Sequence, residues 1–149
     1  MSDDQPIDFL RSIPDLDRYE PFNLVLGHGA KTYHINSIEQ KLNTVGTGIH
    51  ALSNEDLNTP WPKAEATRAA IDSRIGSEVI DLDSLFVPLT DRTMYPDEML
   101  PSTGVPLEWE RILSAAFVEA PGYGTRCSTV ALHNAEGWVL QERVWDRVS

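Results

Sequence analysis

One cysteine in 149 residues, Cys127, leaves no intramolecular disulfide to be made, so packing alone must hold this chain together. Basic residues are few as well: 12 Lys and Arg stand against 23 Asp and Glu, a formal charge of -11. That balance argues against nucleic acid or an anionic membrane surface as partner, because both are recognised through clustered Lys and Arg. No apolar run reaches signal-peptide or membrane-spanning length, so the reading is a soluble, cytoplasmic chain with no membrane span. Internal repeats and low-complexity tracts are missing too. An apolar content of 41% remains, enough for a real core and consistent with one domain over residues 7–149 behind a polar, disordered start at 1–6.

The first half reads as strands. Ile7 to Ile13 suits a short helix ending before Pro14. Phe22 to Leu26 and Thr32 to Ile35 flank Gly27-His28-Gly29-Ala30 as a hairpin, and Thr44 to Leu52 reads as a third strand loosened by Gly46 and Gly48. Strands adjacent in sequence usually pair, which makes an antiparallel meander. After Thr59, read as a cap, Pro60 and Pro62 open a helix over Lys63 to Ile75 that Gly76 ends. Ser77 is read as the cap of a second helix carrying Val79, Ile80, Leu82, Leu85 and Phe86. Thr93 to Pro106, with three prolines, is a long loop of the kind that can serve as a lid, and Leu107 to Leu113 is a short helix.

The densest stretch is Glu110 to Arg143. Three apolar runs, Ala115 to Val118, Ser128 to Leu132 and Trp138 to Gln141, surround the segment Tyr123-Gly124-Thr125-Arg126, giving a strand followed by a β-hairpin. Strands, then helices, then strands indicate an α+β layer arrangement with mainly antiparallel sheets.

Four segments stand in a telling order: Phe22-Asn23-Leu24-Val25-Leu26-Gly27; Leu52-Ser53-Asn54 with Thr59-Pro60-Trp61-Pro62-Lys63; Glu110-Arg111-Ile112-Leu113-Ser114; and Tyr123-Gly124-Thr125-Arg126 with Glu142-Arg143. Together they resemble the NRDE family, also called the transport and Golgi organisation protein 2 family, from about Asp8 to Arg143. Members of that family begin with Met-Cys and an Asn-Arg-Asp-Glu motif; here Met1-Ser2-Asp3-Asp4 leads almost at once into the later segments, so the chain is read as the family's C-terminal portion.

The resemblance implies more than the residues do. The family is similar to the N-terminal nucleophile hydrolases, so the expected architecture is part of an αββα sandwich whose nucleophile-bearing strand would be missing. It also implies roles in Golgi organisation or in lipid, acyl-coenzyme A or haem handling, without catalysis by this chain alone. The alternative is an N-terminal nucleophile amidohydrolase completed by another segment. In related cysteine hydrolases an asparagine donates to the oxyanion and an arginine lies near the thiolate; Asn54 and Arg126 resemble these two. Their plain readings are that Asn54 caps a turn and that a carboxylate pins Arg126. The residues themselves call for no cofactor; haem and acyl-coenzyme A enter by resemblance only.

Other chemistry is weaker. The pairs Gly27/Gly29, Gly46/Gly48 and Gly122/Gly124 continue into no phosphate-binding motif. His28, His34, His50 and His133 lack the spacing of a metal site and read as surface or packed residues. Cys127 reads as a small apolar strand residue, Ser2 as an unsuited nucleophile, and Trp61, Trp109, Trp138 and Trp145 as an apolar pocket or as core and rim aromatics. A missing N-terminal half would leave Phe22, Leu24, Leu26, Val130 and Leu132 uncovered, favouring self-association or pairing with a complementing half.

Overall fold

Alternation in the first strands sets the architecture of the N-terminal half. In this computed structural model, which describes residues 5–13, 15–76 and 80–145, the chain forms two compact units, Met1–Thr59 and Pro60–Ser149. Both combine helices with antiparallel sheet, and the fold class is α+β.

In the first unit, helix α1 (Gln5–Ser12) and a 3-10 turn (Leu16–Arg18) precede a meander of β1 (Asn23–His28), β2 (Lys31–Asn36) and β3 (Lys41–Val45). Gln5 and Pro6, expected to be disordered, are part of α1; residues 1–4 lie outside the described residues. Gly29 takes a φ of 58° in the tight β1–β2 turn, a conformation that glycine reaches without a Cβ penalty. The register sets Leu24 opposite Ile35 and Ile35 opposite Leu42. Tyr33 and Ile35 are therefore buried with Leu24, Leu26 and Leu42 on one face, packed by Ile13 and Leu16.

The third strand lies earlier than expected. It is Lys41–Val45, not Thr44 to Leu52. Gly48 sits at φ 136°, where the extended ladder cannot continue, and Leu52 makes only an isolated bridge to Leu57. That 50–59 loop is closed by Asn58, at φ 63°: its N–H donates to the Ala51 carbonyl at 2.7 Å and its Oδ1 accepts the Ala51 N–H at 3.1 Å.

In the second unit, α2 (Pro62–Ile75) starts with proline in its first turn, is rich in alanine, and carries a half-buried Glu65–Arg68 pair at 2.6 Å. Trp61, not Thr59, is its N-cap residue; the Thr59 hydroxyl accepts the Asp56 N–H instead. The next helix, α3 (Leu82–Phe86), is capped by Asp81, whose carboxylate accepts the Asp83 N–H at 3.1 Å. Ser77 and Val79 lie outside the described residues. Helix α4 covers Leu107–Leu113 as expected.

The run Ala115 to Val118 is a buried bend, not a strand. Its backbone bonds elsewhere: Phe117 N–H donates to the Asp91 carbonyl at 2.7 Å and Val118 N–H to the Thr125 hydroxyl at 2.9 Å. Only β4 (Glu119–Ala120) and β5 (Tyr123–Gly124) pair across the Pro121-Gly122 turn. Gly124 is required there, because a Cβ would stand 2.7 Å from the Val118 carbonyl oxygen. The hairpin of β6 (Cys127–Asn134) and β7 (Gly137–Val144) packs Val130 onto Leu85 and Phe86, with Ile71, Ile80, Leu82 and Leu89 around them.

The apolar residues expected to be uncovered are packed: Phe22, Leu24, Leu26 and Leu132 are half-buried and Val130 is buried. Trp138, Leu140 and Val144, on one face of β7, are each 72% exposed. No helix among the described residues is long and apolar enough to cross a membrane.

Candidate functional site

Most polar residues of the four signature segments hold structure. Glu110, 5% exposed, accepts from the Thr103 N–H at 2.6 Å and the Thr103 hydroxyl at 2.7 Å. Arg111 clasps Asp97 through two hydrogen bonds of 2.7 and 2.6 Å, and the Ser114 hydroxyl accepts the Tyr95 N–H at 3.0 Å. The proline-rich loop 93–106, read as a candidate lid, is thus pinned at three points by the α4 segment. Lys63 donates to the Leu113 carbonyl at 2.8 Å, where α4 ends. Burial pulls the Lys63 ammonium below its usual range, and the Glu110 carboxylate partly restores it. Glu142 accepts the Thr129 hydroxyl at 3.0 Å, and Arg143 donates to Asp83 at 2.6 Å.

Asn54 and Arg126 are different. Asn54 is exposed on the bend between Leu52 and Leu57, and its side chain makes no hydrogen bond among the described residues; Asn58 does the turn-closing work assigned to it. Arg126 is exposed, and the carboxylate expected to pin it is not found among the described residues. Its backbone carbonyl accepts the Trp145 N–H at 2.8 Å. Asn54 belongs to the first unit and Arg126 to the second.

The four tryptophans make separate contacts. Trp109 meets Tyr123 and Trp145 meets Phe117 edge to face, Trp138 stacks on His133, and Trp61 lies under the Lys63 ammonium. Cys127 is half-buried opposite Val144. Among the described residues, no three His, Cys, Asp or Glu side chains gather as a metal site would need.

Two features of the first unit were not expected. One is a buried polar network on the face of β2 opposite the apolar core. His34 is fully buried and its Nε2 lies 2.8 Å from Asn23 Oδ1. Asn23 and Asn36 both donate through Nδ2 to the Glu55 carbonyl, at 3.2 and 2.9 Å, while Asn36 Oδ1 accepts the Ile38 and Glu39 N–H groups. His34 Nδ1 faces Asp56 Oδ1 at 3.7 Å, and neither atom has a hydrogen-bond partner. The hairpin register sets Asn23 against Asn36, which gathers the amides on this face.

The other is a cavity of about 350 Å³. Ile13, Leu16, Ile35 and Leu42, buried or half-buried, give it an apolar floor, and the exposed Arg11, Asp15 and Gln40 a polar rim. Its walls are made by α1, the 3-10 turn that follows and the β2–β3 hairpin. Asp15 and Gln40 both adopt positive φ, 48° and 50°, where the chain reverses at the rim.

The family model described as transport and Golgi organisation 2 matches residues 1–146, across both units. None of the curated proteins matches the sequence. The chain belongs to the transport and Golgi organisation 2 family.

Proposed function

We propose that this chain is a ligand-handling, non-catalytic member of its family, and that the first unit's cavity receives the hydrocarbon part of an anionic amphiphile. The observation that carries the reading is the cavity's composition: four aliphatic side chains form the floor, and Arg11 stands at the rim. Ligand sites commonly pair an apolar interior with a few polar groups that fix orientation. A volume of about 350 Å³ suits a short acyl tail or the end of a longer one. Haem fits this cavity poorly, since its lining residues offer no imidazole, thiolate, thioether or phenolate to iron. Arg11 can pair with a carboxylate or another anionic head group.

A second reading is an N-terminal nucleophile amidohydrolase completed by another segment, with Asn54 and Arg126 each kept as a candidate residue of its own unit. It is favoured by one observation: among the polar signature residues these two have exposed side chains with no hydrogen bond or ion pair among the described residues.

The test is calorimetric titration of the full chain with dodecanoate and with dodecanol. Binding of both, with Arg11→Glu weakening dodecanoate about tenfold and leaving dodecanol unchanged, is the expected result. Equal losses for both ligands, or no binding of either, would remove Arg11 and the cavity from the account.

A further inference from the structure

We propose that His34 and Asp56 hold a bound proton, so that in the folded chain His34 is an imidazolium whose Nδ1–H faces the Asp56 carboxylate and fastens the 50–59 loop to strand β2. The Glu55 carbonyl can only accept. Asn23 therefore turns its amide nitrogen toward Glu55, at 3.2 Å, and its oxygen toward His34 Nε2, at 2.8 Å. An amide oxygen also only accepts, so Nε2 carries a hydrogen.

If the ring were neutral, Nδ1 would then be a bare lone pair. It faces Asp56 Oδ1 at 3.7 Å, and both atoms are sealed from solvent with no other partner. Two acceptors held face to face away from water each go unsatisfied, and each repels the other. A proton on Nδ1 removes both penalties and makes a charge-assisted hydrogen bond, for which the atoms need only close to about 2.8 Å. The Asp56 side chain is 28% exposed, so it keeps part of its hydration as an anion while the fully buried ring supplies the balancing charge.

His50, in the same unit, shows what a satisfied neutral ring looks like. Its Nε2 meets the Gly46 carbonyl at 3.0 Å and must donate, and its Nδ1 meets Asn58 Nδ2 at 2.9 Å and accepts. His34 has the same hydrogen on Nε2 but an acceptor where His50 has a donor. Around His34, Val25 and Asn43 lie opposite it in the ladders, and Glu55 and Glu39 give the network a carbonyl and an N–H from their backbones. Loss of the proton would leave the two acceptors opposed and loosen the loop that carries Asn54.

The test is nitrogen NMR of the full chain, labelled at histidine, at pH 7.5. Both His34 ring nitrogens are expected to carry hydrogens while both of His50 do not. A His34 ring with hydrogen on Nε2 alone overturns the proposal. In Asp56→Asn the new side-chain amide can donate to Nδ1, so His34 should become neutral at the same pH; a ring still doubly protonated in that variant would show that Asp56 is not the proton's partner. The unaltered protein decides the question if the variant does not fold.

Discussion

The Arg143 guanidinium lies 4.1 Å from the centroid of the Phe86 ring, so a cation covers the most deeply buried aromatic of the second unit. The same guanidinium donates to Asp83 at 2.6 Å. A cation over a desolvated ring contributes about 2 kcal/mol, whereas an exposed ion pair contributes about 0–1 kcal/mol. Asp83 is 70% exposed, so the ring contact should dominate.

Arg143→Ala is accordingly expected to lower stability by roughly 2 kcal/mol and Asp83→Asn by less than about 1 kcal/mol. Urea unfolding of the two variants checks the order. Equal losses would mean that the ion pair, not the ring, fixes Arg143.

Glu110 presents the opposite case, a buried carboxylate with two short hydrogen bonds to Thr103. Removing it in Glu110→Ala strands the Thr103 donors, and hydrogen bonds to charged groups are worth about 1.5–3 kcal/mol. Glu110→Gln keeps an acceptor oxygen and should lose clearly less. Protease cleavage within 93–106 should rise in the alanine variant before it rises in the glutamine one.

Arg126→Ala is expected to leave the melting temperature nearly unchanged, within about 0.5 kcal/mol, as for surface positions without a specific partner. Thermal unfolding monitored by circular dichroism tests this. A loss of several kcal/mol would restore the pinning carboxylate that the sequence suggested.

The Asp97–Arg111 clasp sets an acid limit on the loop. The Arg111 hydrogen bond holds the Asp97 carboxyl below the usual carboxylate range, and the Thr93 hydroxyl does the same for Asp91. A depressed folded value means a stabilising contribution that is present above the unfolded value, about pH 4, and lost as pH falls through the folded one. The carboxyl carbon signal of Asp97 should therefore titrate below that of a free aspartate, and Arg111→Gln should return it to the ordinary range. An unshifted midpoint in the unaltered chain would mean that the clasp does not persist in solution.

Much of this fold was legible because local signals agreed with one another. Helix α4 was read at Leu107 to Leu113, and the readings of α2 and the β6–β7 hairpin fell within a few residues of their ends, because alanine content, proline placement and alternation all pointed the same way. The third strand failed because Thr44 to Leu52 alternates acceptably on paper while Gly48 turns the backbone out of the ladder. Family membership was legible from the spacing of four segments, and the structure explains several of them: Gly124 admits no Cβ, and Glu110 and Arg111 tie down the long loop. The polar network and the cavity were not legible. Alternation sets His34 and Asn36 on the face of β2 opposite Tyr33 and Ile35, and nothing local says that a loop from the fifties folds over them. The cavity joins α1 to the β2–β3 hairpin, a meeting that no single segment encodes.

The claim that this cavity is a ligand site is tested most directly by filling it. Leu42 lies on its floor, and Leu42→Trp adds bulk there without introducing charge. In calorimetric titration with dodecanoate, a Leu42→Trp protein that melts like the unaltered chain should bind at least tenfold more weakly, a change of about 1.4 kcal/mol. Unchanged affinity in that folded variant would place the ligand elsewhere and contradict the account.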